Sequence, residues 1–402
     1  MTRTTQTKTL LAGTASTLAA LLIGATAAYA EPLPLKICHI DDRSGSAADT
    51  GIEGLNGLKM VLDPLNKAGG INGRQIELVT YDTKTDPQLA ATFSTRCAED
   101  DKALLMIGAS PGAVAASMVT VANQLKMPLY VLASATPNLT DNPAYQFRFG
   151  PKVTQDSLAV ADALAEAGIK KVAIINNSVP FGITGAESAV NALKPKGIEV
   201  LTQQTYDVAA TDVAPQIINV MQADPEVILV YPYPADGARV VRTIRQMGLT
   251  QPVIMPRVGA MKAFRDLAAE TGNGVLIPSS VDMSRPEVKK LFDDYAALHG
   301  PLAVSPSPAQ GHDAGTLAVQ VLSDPEVQKA IDGGDLQVAR DAIVAATKRL
   351  GRFQGLQGRA DSPYDLTDDH HGPADAGFFV FIEVAGNGSE LVPADLSKLT
   401  AK

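Results

Sequence analysis

The feature that most constrains this chain is an alternation, run through twice, of short apolar segments with longer stretches of helical period. Residues 35–40 read as a strand and 54–67 as an amphipathic helix, and the run Gly69-Gly70-Ile71-Asn72-Gly73 breaks the chain before a second strand over 76–81. A helix over 88–100 enters through Asp86-Pro87. A strand over 104–107 ends in Gly108, and a helix over 113–125 and a strand over 129–132 follow. Beyond Phe147-Arg148-Phe149 the alternation restarts, with helices over 155–167, 185–194, 213–222 and 237–247 and strands over 171–175, 198–203, 227–231 and 253–255. Short apolar strands separated by single helices predict parallel sheets covered on both faces. The repetition predicts two similar lobes. After Gly274 the phase changes: a strand over 275–278, a helix over 286–299, a proline-rich loop over 301–308, helices over 314–322 and 336–349, and a last strand over 378–384. One strand too many implies that the chain passes between the lobes more than once.

In open α/β sheets ligands sit beyond the carboxyl ends of the strands. Those segments are 41–51, 108–112, 133–137, 176–182, 231–236 and 256–259, rich in Gly, Ser, Asn and Tyr. The helix start after Gly112 would offer free N–H groups to an anion.

The N-terminus reads as an export signal. Arg3 and Lys8 precede an uncharged stretch over 10–28, and Ala28-Tyr29-Ala30 supplies small residues for cleavage after Ala30. The most apolar part is too short to span a bilayer, which needs about 20 residues. Cleavage takes the formal charge from −9 to about −11. So acidic a chain lacks the electrostatic footprint of a nucleic-acid or anionic-lipid binder. Two cysteines, Cys38 in the first strand and Cys97 in the helix after the second, come within reach in a doubly wound sheet. An oxidising compartment permits the disulfide; two buried thiols are the alternative. The motif reading finds no G-x-S-x-G, no HExxH, no P-loop and no G-x-G-x-x-G after the first strand, and Gly311-His312-Asp313-Ala314-Gly315 reads as a helix entry rather than a nucleophile elbow. Asp368-Asp369-His370-His371 reads as a polar loop rather than a metal site, because adjacent residues rarely converge. The chain is expected to bind rather than to catalyse.

Several stretches resemble the solute-binding proteins of branched-chain amino-acid-type ABC importers, the Leu/Ile/Val-binding kind. They are Ser44-Gly45 with Gly51 and Leu58; DPLNKAGGINGRQIELVTYDTKTDP from Asp63; IGASPGAVAA from Ile107; SATPNLT from Ser134; YQFRFGP from Tyr145; and FGITG from Phe181. The resemblance implies two doubly wound lobes of the type I periplasmic-binding fold, joined by three hinge crossings near Phe149, Ile277 and 353–358. The first lobe would then comprise 31–149 and 278–353, the second 150–277 and 354–402, after a signal peptide over 1–30. It also implies a monomeric periplasmic receptor that hands its ligand to an inner-membrane permease and its ATPase, with a ligand sensor of the same fold as the rival role.

The family's carboxylate-binding positions correspond here to Ser110, Gly112, Ser134, Ala135 and Thr136, although Ser110 and Thr136 could instead cap helices. Phe181, where the family often has Tyr, together with Tyr231 and Tyr233 would form aromatic walls, or else ordinary rim packing. Asp42, with Asp41 and Arg43, would either hold a polar ligand group or pair at the rim. Asp236 could meet an ammonium or begin a helix. The residue that matters most is Arg257, where amino-acid binders of the family carry an acid. An arginine there repels an ammonium and favours a small organic or aromatic acid, or a ligand with a second carboxylate, over a plain branched-chain amino acid; a shift of one or two residues would instead leave Arg257 solvated.

Overall fold

The computed structural model describes residues 1–2, 33–45, 47–136, 139, 144–302, 305–367 and 371–399. The export signal, its cleavage site and Asp368 to His370 lie outside the described residues. No helix among those described is long and apolar enough to cross a membrane.

The first lobe is built from β1 (Leu35–Asp41), α1 (Ala48–Lys67), β2 (Ile76–Asp82), α2 (Pro87–Glu99), β3 (Leu105–Gly108), α3 (Gly112–Gln124), β4 (Leu129–Val131) and β5 (Gln146–Arg148). All five strands are parallel, in the order β2-β1-β3-β4-β5. Alternate residues of β1 face opposite layers: Leu35 and Ile37 join the core with Leu58 and Leu62 of α1, while Cys38 and Ile40 pack with Ala90 of α2 and Met118 of α3. That two-sided burial is why the strands read as continuous apolar runs. Cys38 and Cys97 are joined in a disulfide that ties β1 to α2 across a sequence separation of 59.

The second lobe runs α4 (Val153–Glu166), β6 (Lys171–Asn177), α5 (Pro180–Leu193), β7 (Glu199–Tyr206), α6 (Ala214–Ala223), β8 (Val227–Tyr231), α7 (Pro234–Gln246), β9 (Val253–Ile254), α8 (Lys262–Ala268) and β10 (Leu276–Ser279). Its parallel part, β7-β6-β8-β9-β10, repeats the strand order of the first lobe. The chain then returns to the first lobe as α9 (Pro286–His299), α10 (Pro306–Leu322), α11 (Pro325–Asp332) and α12 (Leu336–Leu350). A small antiparallel sheet of β11 (Arg352–Phe353), β12 (Tyr364–Asp365) and β13 (Gly372–Pro373) follows. Finally β14 (Val380–Ala385) and β15 (Glu390–Pro393) add an antiparallel hairpin beyond β10. This hairpin is the surplus strand of the sequence pattern.

Three details differ from the sequence reading. The proline-rich segment expected to be a loop contains the start of α10, because Pro306 occupies the first helical position, where a missing N–H costs nothing, and the Ser305 side chain accepts from Ser307 N. Helix α11 starts in the same way, with Asp324 as its cap and Pro325 next. The third crossing, expected near 353–358, falls later. Phe353, Tyr364, Leu366 and Phe378 all pack in the first lobe's core, and the chain enters the second sheet at Val380. The aromatic side chains decide this, since they fill the first lobe between Phe149 and α12.

The 355–358 segment nevertheless touches the other two crossings. Gln357 donates from Nε2 to Phe149 O at 3.2 Å and to the Tyr364 hydroxyl, and its Oε1 accepts from Ser280 Oγ at 3.0 Å. Gly358 N donates to Ser280 O at 2.7 Å. Asp313 of α10 accepts from the backbone N–H groups of Leu356 and Gln357, and Arg285 donates to Gly358 O and Gly355 O. One buried glutamine thus ties the first crossing to the second. Gln357→Ala orphans buried partners on both, at about 1–3 kcal/mol. The expected result is a lower melting temperature together with faster amide exchange at residues 149–151 and 279–281.

Candidate functional site

Both sheets present their strand ends to the interface between lobes. In the first lobe, Ser134, Thr136 and Gly112 come together. A Cβ on Gly112 would lie 2.4 Å from Thr136 Oγ1, so the threonine hydroxyl sits over the start of α3, whose N-cap, Pro111, offers no side-chain acceptor. The hydroxyls and the uncapped N–H groups therefore share one small region. The segment is held from behind by Arg148, which is buried and donates from one Nη to Ser134 O at 2.6 Å and to Thr136 O at 3.1 Å. Sequence reasoning passed over Arg148. Its signal was a charged residue inside the apolar Phe147-Arg148-Phe149 strand.

Ser110 adjoins this cluster but is already engaged. Its N–H and hydroxyl both donate to Asp41, at 3.1 and 3.0 Å. Gly108-Ala109-Ser110-Pro111-Gly112 has the G-x-S-x-G spacing of a nucleophile elbow, which the motif reading overlooked. The positive φ falls on Ala109 rather than on the serine, and the serine's partner is a carboxylate rather than an imidazole, so the geometry is not that of a serine hydrolase. Burial raises the Asp41 carboxyl to about 7, against the opposing pull of the hydrogen bonds from Asp42 N and Ser110.

Asp42 has a different task from the one expected. It is fully buried and accepts from Thr83 Oγ1, Thr85 N and Thr85 Oγ1, fastening the loop after β1 to the loop after β2. Both oxygens are used away from the cleft. Asp236 is likewise occupied, accepting from Tyr206 Oη at 2.6 Å, Asn177 Nδ2 at 3.0 Å and Tyr233 N.

In the second lobe, Phe181 and Tyr233 stack with centroids 5.8 Å apart, and Tyr233 keeps 43% of its surface exposed. Tyr231 is placed differently. It is buried against Gly185 of α5, and its hydroxyl meets Ser157 of α4. It supports the wall more than it lines it. Arg257 opens a helical turn after β9 and lines a cavity with Asp156, Ser279, Ser280, Pro306 and Phe379.

Asp156 is the second residue that sequence reasoning missed. It lies one turn into α4, whose first N–H, from Val153, donates to Ala135 O at 3.0 Å and so joins the helix start to the Ser134–Thr136 segment. It is only 6% exposed, and its carboxylate makes no hydrogen bond with a described residue. Burial pushes it up to about 7, with only the charge of Arg257 pulling the other way. For Asp41 and Asp156 alike, the folded state holds the proton more tightly than the unfolded chain. The stability they contribute is present below about pH 4 and is lost as pH rises through about 7.

With this geometry in view, comparison with known proteins is informative. A family model described as periplasmic binding protein matches residues 34–387. The chain belongs to that family. Among curated relatives, a Leu/Ile/Val-binding protein homolog of Brucella abortus is 26% identical over 72% of this chain and 73% of its own length. Among solved structures, a branched-chain amino acid transporter substrate-binding protein from Streptococcus pneumoniae, in complex with isoleucine, aligns with a TM-score of 0.70 at 22% identity, over 90% of this chain and all of the other. An ABC-transporter solute-binding protein from Rhodopseudomonas palustris, in complex with 3,4-dihydroxybenzoic acid, aligns with a TM-score of 0.70 at 20% identity, over 90% of this chain and 95% of the other. The fold is thus the type I periplasmic-binding fold. The chain is a solute-binding protein of the Leu/Ile/Val-binding type, not an enzyme, in a family of periplasmic and extracellular receptors that bind small molecules and work with ABC permeases.

Proposed function

We propose that this periplasmic binding protein captures a small carboxylate-bearing ligand between its lobes and delivers it to an ABC permease. The ligand is a small organic or aromatic acid or an amino acid. The observation that carries this reading is the meeting of the Thr136 and Ser134 hydroxyls with the uncapped N-terminus of α3, with Arg148 behind them. Hydroxyls and backbone N–H groups donate to a carboxylate without adding bulk, and a helix N-terminus favours negative charge. The two ligands named for the structural neighbours, isoleucine and 3,4-dihydroxybenzoic acid, differ in almost everything except a carboxylate. The Phe181–Tyr233 stack suits the apolar remainder of either.

Arg257 supplies the second electrostatic anchor. Reversing its charge with Arg257→Glu is expected to cost about 2–5 kcal/mol of binding, roughly 30-fold or more in affinity. Titration calorimetry with the best-binding carboxylate reads this directly, and unchanged affinity would place Arg257 outside the site.

A further inference from the structure

The end of β1 carries an acid that the carboxylate reading does not use. Asp41 is fully buried, and its side chain already holds donors that an anion in the first lobe would claim. Its Oδ1 accepts from Asp42 N at 2.9 Å and from Ser110 N at 3.1 Å, and its Oδ2 accepts from Ser110 Oγ at 3.0 Å. Both donors of Ser110 are thus committed to a carboxylate of the protein itself. Among the described residues no cation is paired with that carboxylate. Ser110 stands two residues before Gly112, where α3 begins. Two residues of chain span at most about 7 Å, so an anion on the N-terminus of α3 lies roughly 10 Å from Asp41.

We propose that Asp41 is a proton-linked positioning residue, so that capture of an anionic ligand draws one proton from the solvent onto its carboxylate. Ionised, Asp41 holds the Ser110 hydroxyl and repels the incoming anion. Protonated on Oδ2, it donates to Ser110 Oγ instead, and the serine hydrogen is released to donate to the ligand carboxylate. Like charges roughly 10 Å apart in a protein change an equilibrium about tenfold. Burial already raises Asp41 to about 7 in the ligand-free protein, and the charge of Asp42 adds to it against the hydrogen bonds from Asp42 N and Ser110. A bound anion raises it further. Affinity is therefore highest below about pH 7 and falls as pH rises through that value. The neighbouring groups titrate elsewhere. Asp82, the register partner of Asp41 on β2, is opposed by burial, but hydrogen bonds from Arg43 N, Ser44 and Lys84 N hold it at about 2. His39, two residues back on β1, is pushed down to about 3 by burial and by the charges of Arg43 and of Lys59 on α1. The first turn of α3 carries no acid. This assignment rests on the carboxylate reading above.

The test is calorimetry on the full chain with benzoate, 3-phenylpropanoate, 4-methylpentanoate, glutarate and leucine, whose carboxylates stay ionised between about pH 6 and about pH 8.5. Runs in phosphate and in Tris, which differ in heat of ionisation, report protons taken up. For any acid that binds, the wild type is expected to take up protons near pH 7.5 and to lose affinity about tenfold across the range. Asp41→Asn imitates the protonated acid, since its amide donates to Ser110 Oγ while its oxygen keeps the two backbone donors. Its affinity should not vary with pH and should match the wild type's acid limit. Ser110→Ala removes a hydrogen bond that favours the charged form, so the midpoint of its pH profile should move upward. Asp156, the acid of the second lobe that also stands at about 7, is the control: Asp156→Asn should retain the pH dependence. Equal heats in the two buffers with an affinity that ignores pH overturn the assignment and leave the carboxylate reading intact. A pH dependence that survives Asp41→Asn, or vanishes in Asp156→Asn, overturns it too. If Asp41→Asn does not fold, the Ser110→Ala midpoint decides, and an unmoved midpoint overturns the assignment. Binding of none of the acids at any pH removes the carboxylate reading and this assignment with it.

Discussion

Gly311→Leu is expected to prevent the first lobe from packing. Helices α1 and α10 touch backbone to backbone. A Cβ at Gly311 would lie 1.9 Å from Gly54 O and 2.9 Å from Leu58 N, and one at Gly57 would lie 2.0 Å from Pro308 O. No side-chain rotation relieves contacts between main-chain atoms, so the helices must separate. Both lie over the Leu35–Ile37 face of β1, and α10 brings Leu317 and Val321 to the same core. Separation would therefore open the core along its length. Overpacking in cores typically costs 1–3 kcal/mol when side chains can adjust, and here they cannot. The helix-propensity gain from replacing a glycine, about 1 kcal/mol, is too small to compensate. The expected result is loss of soluble protein, or cooperative melting confined to the second lobe, read by calorimetry. A variant that melts as the wild type does would show that α1 and α10 do not meet in this way.

Opening the Cys38–Cys97 disulfide is expected to have the next largest effect. The chain-entropy account assigns about 4 kcal/mol to a loop closed over 59 residues. Both sulfurs lie in an apolar cluster with Ile40, Ala90, Ala98 and Met106, so free thiols pack there without a polar penalty. The loss should therefore fall on the unfolded state rather than the folded one. Reduction, or Cys38→Ala with Cys97→Ser, should lower the melting temperature markedly while far-UV circular dichroism is retained. Ligand affinity should change little, because the bond lies behind the strand ends rather than at them. An unshifted melting curve under reductant would remove the disulfide from the account of stability.

The strand ends that frame the candidate site were legible in the sequence. Strand ends can be read because β1, β3, β6 and β8 are buried on both sides and stand out as apolar runs. Once the ends are known, the segments around Ser110, Ser134, Tyr231 and Arg257 follow from the rule for open sheets. The use each polar residue makes of its atoms was not legible. Asp42 reads as a cleft residue, yet its partners Thr83 and Thr85 come from a loop about 40 residues away in the chain. Asp156 reads as an ordinary acidic residue in a first helical turn, where the helix dipole alone would explain it. Its isolation appears only when α4, the turn at Arg257 and the second crossing are brought around one cavity. Arg148 drew no reading from the sequence beyond its place between two phenylalanines, and the folded strand shows it buried against Ser134 and Thr136. Tertiary packing decides burial and partnership in each case, and no local pattern encodes them. The third crossing was misplaced for a related reason: Tyr364 and Phe378 are as apolar in one lobe as in the other, and only the space left beside Phe149 assigns them to the first.

The central claim is that the cleft holds a carboxylate. The most direct measurement is thermal stabilisation of the protein by a panel of amino acids and aliphatic and aromatic acids, each beside its uncharged primary amide. The account predicts that at least one acid raises the melting temperature strongly, that its amide does not, and that Arg257→Glu erases the difference. Equal stabilisation by acid and amide, or stabilisation only by ligands without a carboxylate, would contradict it.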